Sequence, residues 1–224
     1  MFIVKERILS LALFSVALLG GCATATVPVV VGTVNDPVIR ELAAAGETVF
    51  LLPPHVTFES ADNEQPLSGE SCGGDKAEVA TAMYVAEGLA GEGFAVLTLD
   101  DMPAESEPKA RDLVEKLDAE CSVLTSSYKD KSLLIPLLNE LCGISGAGVV
   151  CVQTVKIKVG RGATYDGNTG MMTQGTSSST IKVALVSPDN GKVLWKNESF
   201  VRYLPTSGKF KQAVQLLFSA PRGK

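Results

Sequence analysis

The sequence predicts a single α/β domain. Its sheet is mixed, with a parallel βαβ first half and an antiparallel C-terminal meander, and helices pack on it. Three observations predict this. Apolar runs at 48–52 and 94–99, bounded by Pro and Gly, flank an amphipathic stretch at 75–90, which is the order of a βαβ unit. Two alternating segments at 180–187 and 192–201 enclose Pro188-Asp189-Asn190-Gly191, a strong turn signal. Only 6% of residues are aromatic while 46% are hydrophobic, so the core must be built mainly from Ala, Val and Leu.

Taken in order, Ala23–Thr33 is rich in small residues and Val, has no helical period and reads as a tether. Asn35-Asp36-Pro37 then starts a short helix, with a capping residue ahead of Pro in the first turn. Val38, Leu42 and Ala45 share one face of it, and Gly46 ends it. Thr48–Leu52 is apolar throughout, as in a strand buried on both faces, and Pro53-Pro54 stops it because proline donates nothing to a ladder. His55–Gly74 is polar and Gly-containing, so it reads as loop, with a short extended piece at Val56–Phe58. Asp75–Ala90 is an amphipathic helix capped by Asp75, with Val79, Ala82, Met83, Ala86, Leu89 and Ala90 as its inner stripe. Gly91 and Gly93 release the chain into a strand at Phe94–Leu99.

Glu107–Leu124 is the next helix, with Ala110, Leu113, Val114, Leu117, Cys121 and Leu124 facing inward. After a break at Ser126–Lys129, Lys131–Leu141 predicts a third helix with Leu134, Leu137, Leu138 and Leu141 inside and Pro136 near its first turn. Gly143–Gly148 is a return. Val149–Val159 is a strand whose start is apolar on both faces and whose end alternates, with Lys156 and Lys158 turned to solvent. Gly160–Ser178 is a long Gly-, Ser- and Thr-rich hairpin connection. The meander follows, carrying the only tryptophan, Trp195, and Ser207–Phe218 closes as a helix with Phe210, Val214, Leu217 and Phe218 inside.

Ahead of the domain, Lys5 and Arg7, the apolar run Ile8–Leu19 and Gly20-Gly21 have the three parts of a secretory signal. The run is shorter than the roughly 20 residues that a spanning helix needs. Leu19-Gly20-Gly21-Cys22 resembles the bacterial lipobox. That resemblance implies that Cys22 carries diacylglycerol and an N-acyl chain of the palmitate type after cleavage. It also implies that Ala23 at the next position directs the product to the periplasmic face of the outer membrane. The expected organisation is therefore a lipoprotein signal peptide at 1–21, a lipidated tether at 22–34 and a periplasmic α/β domain at 35–224. Several acyl chains give firm anchoring without a span, since each buried CH₂ contributes about 0.8 kcal/mol.

The chain has 20 Lys and Arg against 25 Asp and Glu, a formal charge of −5. Residues 1–21 contribute net +1 through Lys5, Glu6 and Arg7, so the rest carries −6. An acidic chain without clustered Lys and Arg argues against nucleic-acid binding. Beyond Cys22, the cysteines Cys72, Cys121, Cys142 and Cys151 are even in number. In an oxidising compartment they predict at least one disulfide and up to two, with three possible pairings. The competing reading is buried free thiols, because Cys121 and Cys151 fall on apolar faces. Their spacing fits no zinc site, and no metal or other cofactor is expected.

No catalytic residue is expected either. His55 is the only histidine, so no Ser–His–Asp triad or His–His metal pair can form, and a solvent-facing loop position is the expectation. Asp100-Asp101 closes the second strand, but neighbouring side chains point apart. Gly143–Gly148 is glycine-rich, yet it precedes a strand rather than a helix, unlike a phosphate loop. Gly160–Ser178 is too polar to supply a membrane-spanning strand, which needs about 9–11 residues with an apolar face. It reads as an exposed loop in which Tyr165, Met171 and Met172 are candidate partner contacts.

Four motifs carry a further resemblance. Val49-Phe50-Leu51-Leu52-Pro53-Pro54, Gly91–Leu97, Gly146–Val152 and Asp189–Trp195 resemble, in order, the recurrent strand motifs of a group of bacterial envelope lipoproteins, with Gly148 where that group usually has Asp. The group includes the curli-secretion lipoprotein, lipoprotein activators of penicillin-binding proteins, exopolysaccharide-export lipoproteins and the N-terminal domain of the Tol translocation protein B. The resemblance spans roughly Val49–Leu217. It implies a non-enzymatic scaffold or accessory in envelope assembly or export, or a regulator docking on a peptidoglycan-synthesis enzyme. The implied partners are envelope proteins or further copies of the chain. Shared fold does not fix which.

Overall fold

The computed structural model describes residues 29–34, 36–62, 65–69, 73–160, 165–166, 171–172, 177–202, 205 and 207–219. The signal segment with Cys22, and Cys72, lie outside the described residues. The elements in order are β1 (Val29–Val34), α1 (Asp36–Ala44), β2 (Thr48–Leu51), β3 (His55–Ser60), β4 (Pro66–Leu67), α2 (Gly74–Glu92), β5 (Ala95–Leu97), α3 (Glu107–Ala119), α4 (Cys121–Leu124), α5 (Ile135–Ser145), β6 (Val149–Val159), β7 (Tyr165–Asp166), β8 (Met171–Met172), β9 (Ser178–Val186), β10 (Val193–Val201) and α6 (Gly208–Ser219). The fold is α/β, with a mixed eight-stranded sheet ordered β1-β10-β9-β6-β2-β5, to which β3 and β4 add beside β6. β2 runs parallel to β5 and β6, whereas β6, β9, β10 and β1 form the antiparallel half.

The sheet is the middle of three layers. On one face α1, α2 and α6 pack through Ile39, Val85, Leu89, Phe210, Val214 and Leu217 onto Val49, Leu51, Cys151, Val155, Ile181, Val183 and Trp195. On the other face α3, α4 and α5 pack through Leu113, Leu117, Leu124, Leu138 and Leu141 onto Phe50, Leu52, Val150, Val152 and Val186. The two sets alternate along β2 and along the start of β6, as a period of two requires.

The double proline interrupts the first parallel strand without ending its course. Leu51 pairs with Cys151, and His55 then pairs with Thr154, so Leu52, Pro53 and Pro54 stand opposite only Val152 and Gln153. One extra residue on one strand is a bulge. The buried Gln153 side chain closes it, its Nε2 donating to the Leu52 carbonyl at 2.9 Å. The chain then continues along β6 as β3 for six residues, where the sequence suggested mostly loop. Both prolines sit where no ladder N–H is required.

Four further expectations are corrected. Val29–Val34, expected as tether, pairs antiparallel with β10 across a register shift between Val30 and Thr33. Its β-branched residues find an open edge there. The third long helix is displaced to Ile135–Ser145, and Gly143 lies inside it, because the chain at 131–134 turns before it coils. Most instructive is α2, whose buried residues are Gly74, Ala77, Thr81, Val85 and Leu89, whereas Val79 and Met83 are 69% and 48% exposed. The helix is apolar almost all round, so period alone did not choose the face. Gly88 chooses it, because a Cβ there would run into the Phe218 ring of α6. Gly73, not Asp75, occupies the N-cap position.

This contact gives a direct test. Gly88→Val should cost about 2–3 kcal/mol by overpacking against Phe218, whereas Met83→Ala on the exposed face should stay within about 0.5 kcal/mol of the parent. Urea unfolding of the two variants measures both values, and a neutral Gly88→Val would mean that α2 docks by another face.

Candidate cation-lined cleft on the open sheet face

The α3–α5 layer covers only one end of its sheet face. Beyond Val152 on β6 and before Ala184 on β9 the same face turns mostly polar, with Thr154, Lys156, Thr180, Lys182, Lys196 and Glu198 on it and the exposed Phe200 opposite Thr180. The sequence reading of β6 anticipated the change from a doubly buried start to an alternating end. β3 adds His55 and Thr57 to this open half.

The wall of the cleft is made where α3 stops. Its ladder breaks at Glu120, whose φ of −109° and ψ of 17° are not helical, and α4 restarts for one turn. Asp118, Cys121, Ser122, Thr125 and Ser126 are thereby held above the strands, and Lys129 follows in the loop. The resulting cleft has a volume of about 530 Å³. Its lining contains Lys129, Lys156, Lys182, Lys196 and His55, with Asp118 as the lone acid. With Glu59 and Glu198 paired to Lys156 and Lys182, four lysines meet three carboxylates here, a slight positive excess on a chain of formal charge −5.

The lysines and His55 are held in place by their neighbours. Lys156 Nζ lies 2.7 Å from Glu59, Lys182 Nζ lies 3.2 Å from Glu198, and Lys196 Nζ donates to the Thr125 carbonyl at 3.2 Å. His55 Nδ1 stands 3.6 Å from Asp118, tying β3 to α3. These pairs are half-exposed, so each adds little to stability. Their effect is to fix where charge is presented. Next to the cleft, the buried Lys131 donates to the Gly191 carbonyl at 2.8 Å and anchors the β9–β10 turn. Burial, and then the Lys196 charge, depress its pKa. A second cleft of about 410 Å³ lies on this side and shares Lys129 with the first.

The residues singled out in the sequence are scattered. His55 opens β3 rather than a loop and is half-exposed at the cleft. Asp101 accepts from the Thr98 N–H and hydroxyl, both at 2.8 Å, and so closes a one-turn capping box, while Asp100 lines a separate groove with Leu52, Pro53, Pro54 and Val79. In that groove Glu78 has its pKa raised by burial and by Asp75 and Asp118, against the opposing pull of His55. Within Gly143–Gly148, Gly146 caps α5 with φ +74°, and a Cβ on Gly148 would strike the Glu47 carboxylate. A carboxylate thus already stands beside the position where the resembled group carries Asp. Tyr165 and Met172 pair, as do Asp166 and Met171, so a two-stranded ribbon forms inside the Gly160–Ser178 connection. Sequence reasoning missed Asp118, Thr125, Lys129, Lys182 and Lys196. The outward phase of β9 and β10 was a readable signal for the two strand lysines. The approach of α4 to the sheet had none.

The disulfide expectation is not met among the described cysteines. Cys121, Cys142 and Cys151 are buried free thiols. Cys151 belongs to the α2 side of the sheet and the other two to the α3 side, so the sheet itself separates Cys151 from Cys121 and Cys142. Burial raises all three pKa values, that of Cys142 to about 11, with Asp118 adding to the effect on Cys121. Among the described residues no group of three His, Cys, Asp or Glu is placed to hold a metal ion, and no helix is long and apolar enough to cross a membrane.

No protein-family model matches the chain, and no curated protein does. Similar solved structures include the PelC dodecamer from Paraburkholderia phytofirmans, at 12% identity and TM-score 0.37 over 80% of this chain and 90% of that one. Lipoprotein GNA1162 from Neisseria meningitidis is similar at 15% identity and TM-score 0.38 over 79% and 99%. The LpoB C-terminal domain from Escherichia coli is similar at 11% identity and TM-score 0.32 over 74% and 96%. Likeness at this level assigns no function.

The thiols supply the prediction here. In folded protein at pH 8, Cys121 and Cys151 should resist a thiol-specific chromogenic reagent for hours, and both should titrate at once in guanidinium chloride. Rapid labelling of either under native conditions would contradict their placement.

Proposed function

We propose that the chain is a lipid-anchored lipoprotein on the periplasmic face of the outer membrane, held through Cys22. Its domain acts as a non-enzymatic scaffold or accessory in cell-envelope assembly or export. The observation that carries this reading is Leu19-Gly20-Gly21-Cys22 behind a charged start and a short apolar run. The four strand motifs shared with envelope lipoproteins support it. β1 begins at Val29, so six residues separate it from Cys22, and an extended link of that length spans only about 20–25 Å. On this reading the β1 edge of the sheet lies close to the bilayer. Tyr165, Met171 and Met172 remain proposed contacts on the β7–β8 ribbon.

A second reading is a regulator that docks on an envelope enzyme. The cation-lined cleft favours it, since a concave charged surface can steer and orient a partner of opposite charge.

Fractionation tests the anchor. The parent should partition with membranes and incorporate labelled palmitate, and Cys22→Ser should do neither and should appear in the soluble fraction. A Cys22→Ser protein that stays membrane-bound would overturn the proposal. Light scattering of residues 23–224 then separates the two roles: a ring-sized oligomer supports assembly or export, and a monomer supports the regulator.

A further inference from the structure

We propose that the cleft is a docking site for an extended acidic polypeptide segment, one that carries carboxylates on alternate residues. The inference deepens the envelope-docking reading by naming the partner's chemistry, and it rests on that reading only for its setting.

The register of the strands carries it. Lys156 on β6 stands opposite Thr180 on β9, and Lys182 is two residues further along β9 on the same face. Lys182 stands opposite Glu198 on β10, and Lys196 is again two residues on. Three lysines therefore step diagonally across three adjacent strands. Such diagonal neighbours lie about 7–8 Å apart. In an extended peptide, alternate side chains on one side recur every 6.5–7 Å or so. A segment lying obliquely across the open half of the sheet thus brings every second side chain to a lysine. Lys129 stands further along the lining, where the cleft joins the second one.

The chemistry fits the same occupant. Lys156 and Lys182 already hold carboxylates of this chain, those of Glu59 and Glu198. An ammonium has three N–H donors, so each can accept a second carboxylate without losing the one that positions it. Their side chains are 47% and 41% exposed, so they are open to a partner. The hydroxyls of Thr57, Ser122, Ser126, Thr154 and Thr180 offer donors for a peptide backbone between the charges. The acidic remainder of the chain repels an acidic segment elsewhere and directs it here.

The test uses the full chain in a neutral detergent and a fluorescein-labelled (Glu-Ser)4 peptide, with (Lys-Ser)4 as the control. Anisotropy should rise with (Glu-Ser)4 only, and affinity should fall as salt is raised. Lys129→Glu with Lys182→Gln should weaken binding about tenfold or more, whereas Lys109→Gln with Lys211→Gln, in exposed pairs elsewhere, should change it less than about twofold. Lys129→Glu alone, on an exposed loop, should give an intermediate loss and guards against misfolding of the double variant. Equal binding of both peptides, or equal loss in the cleft and control variants, would overturn the proposal. So would tighter binding of hexagalacturonate at the same lysines, which would assign the cleft to an acidic saccharide. A chain that binds (Glu-Ser)4 but carries no lipid would overturn the anchor reading alone. A lipidated chain that ignores the peptide would overturn this one alone.

Discussion

Everything in this domain is registered on β6. It is the only described strand that pairs with three others: β2 along its first residues, β3 along its last, and β9 along nearly its whole length. A strand so placed must be buried wherever helices lie above both faces. Val149–Val152 is buried throughout, while Lys156 further along is exposed. The point at which its sequence changes from continuous to alternating apolar character is the point at which the α3–α5 layer stops. The open sheet face, and the cleft on it, follow from that change.

The bulge at Leu52-Pro53-Pro54 is the second consequence. In an open α/β sheet, ligands bind in the crevice outside the carboxyl ends of the parallel strands, where the chain's direction of winding reverses. That place lies here between β2 and β6, and the chain fills it with its own β3. Gln153 makes the filling possible by satisfying a carbonyl within the proline interruption. The space normally open to a nucleotide or substrate is thus taken, and the concavity is displaced onto the sheet face beneath α4. Such a floor, made of paired lysines and hydroxyls, can present charge to a partner.

The sequence made the layers legible where one periodicity dominated. The stripe Ala110, Leu113, Val114, Leu117, Cys121 and Leu124 is buried residue for residue, since α3 is polar on its other side. The meander and its turn were equally plain. Legibility failed where several faces were equally apolar, as on α2. There a contact 130 residues away in sequence, Gly88 against Phe218, decides the matter. It failed also at β1, because a Val-rich stretch reads alike as tether or edge strand until a partner strand is present. Half of the cleft was visible as the outward phase of Lys156. The other half depends on where α3 breaks and how α4 lies, which no local pattern encodes.

The central claim is that the open, lysine-stepped half of the sheet is the surface through which the domain meets its partner. The most direct measurement places a photo-crosslinking amino acid at Thr180 on the cleft floor and, separately, at the exposed Val79 on α2, and irradiates cells expressing each. One adduct of defined mass is expected from Thr180, strongly reduced by Lys129→Glu with Lys182→Gln, and none from Val79. An adduct from Val79 with none from Thr180 would contradict it and move the working surface to the outer face of α2.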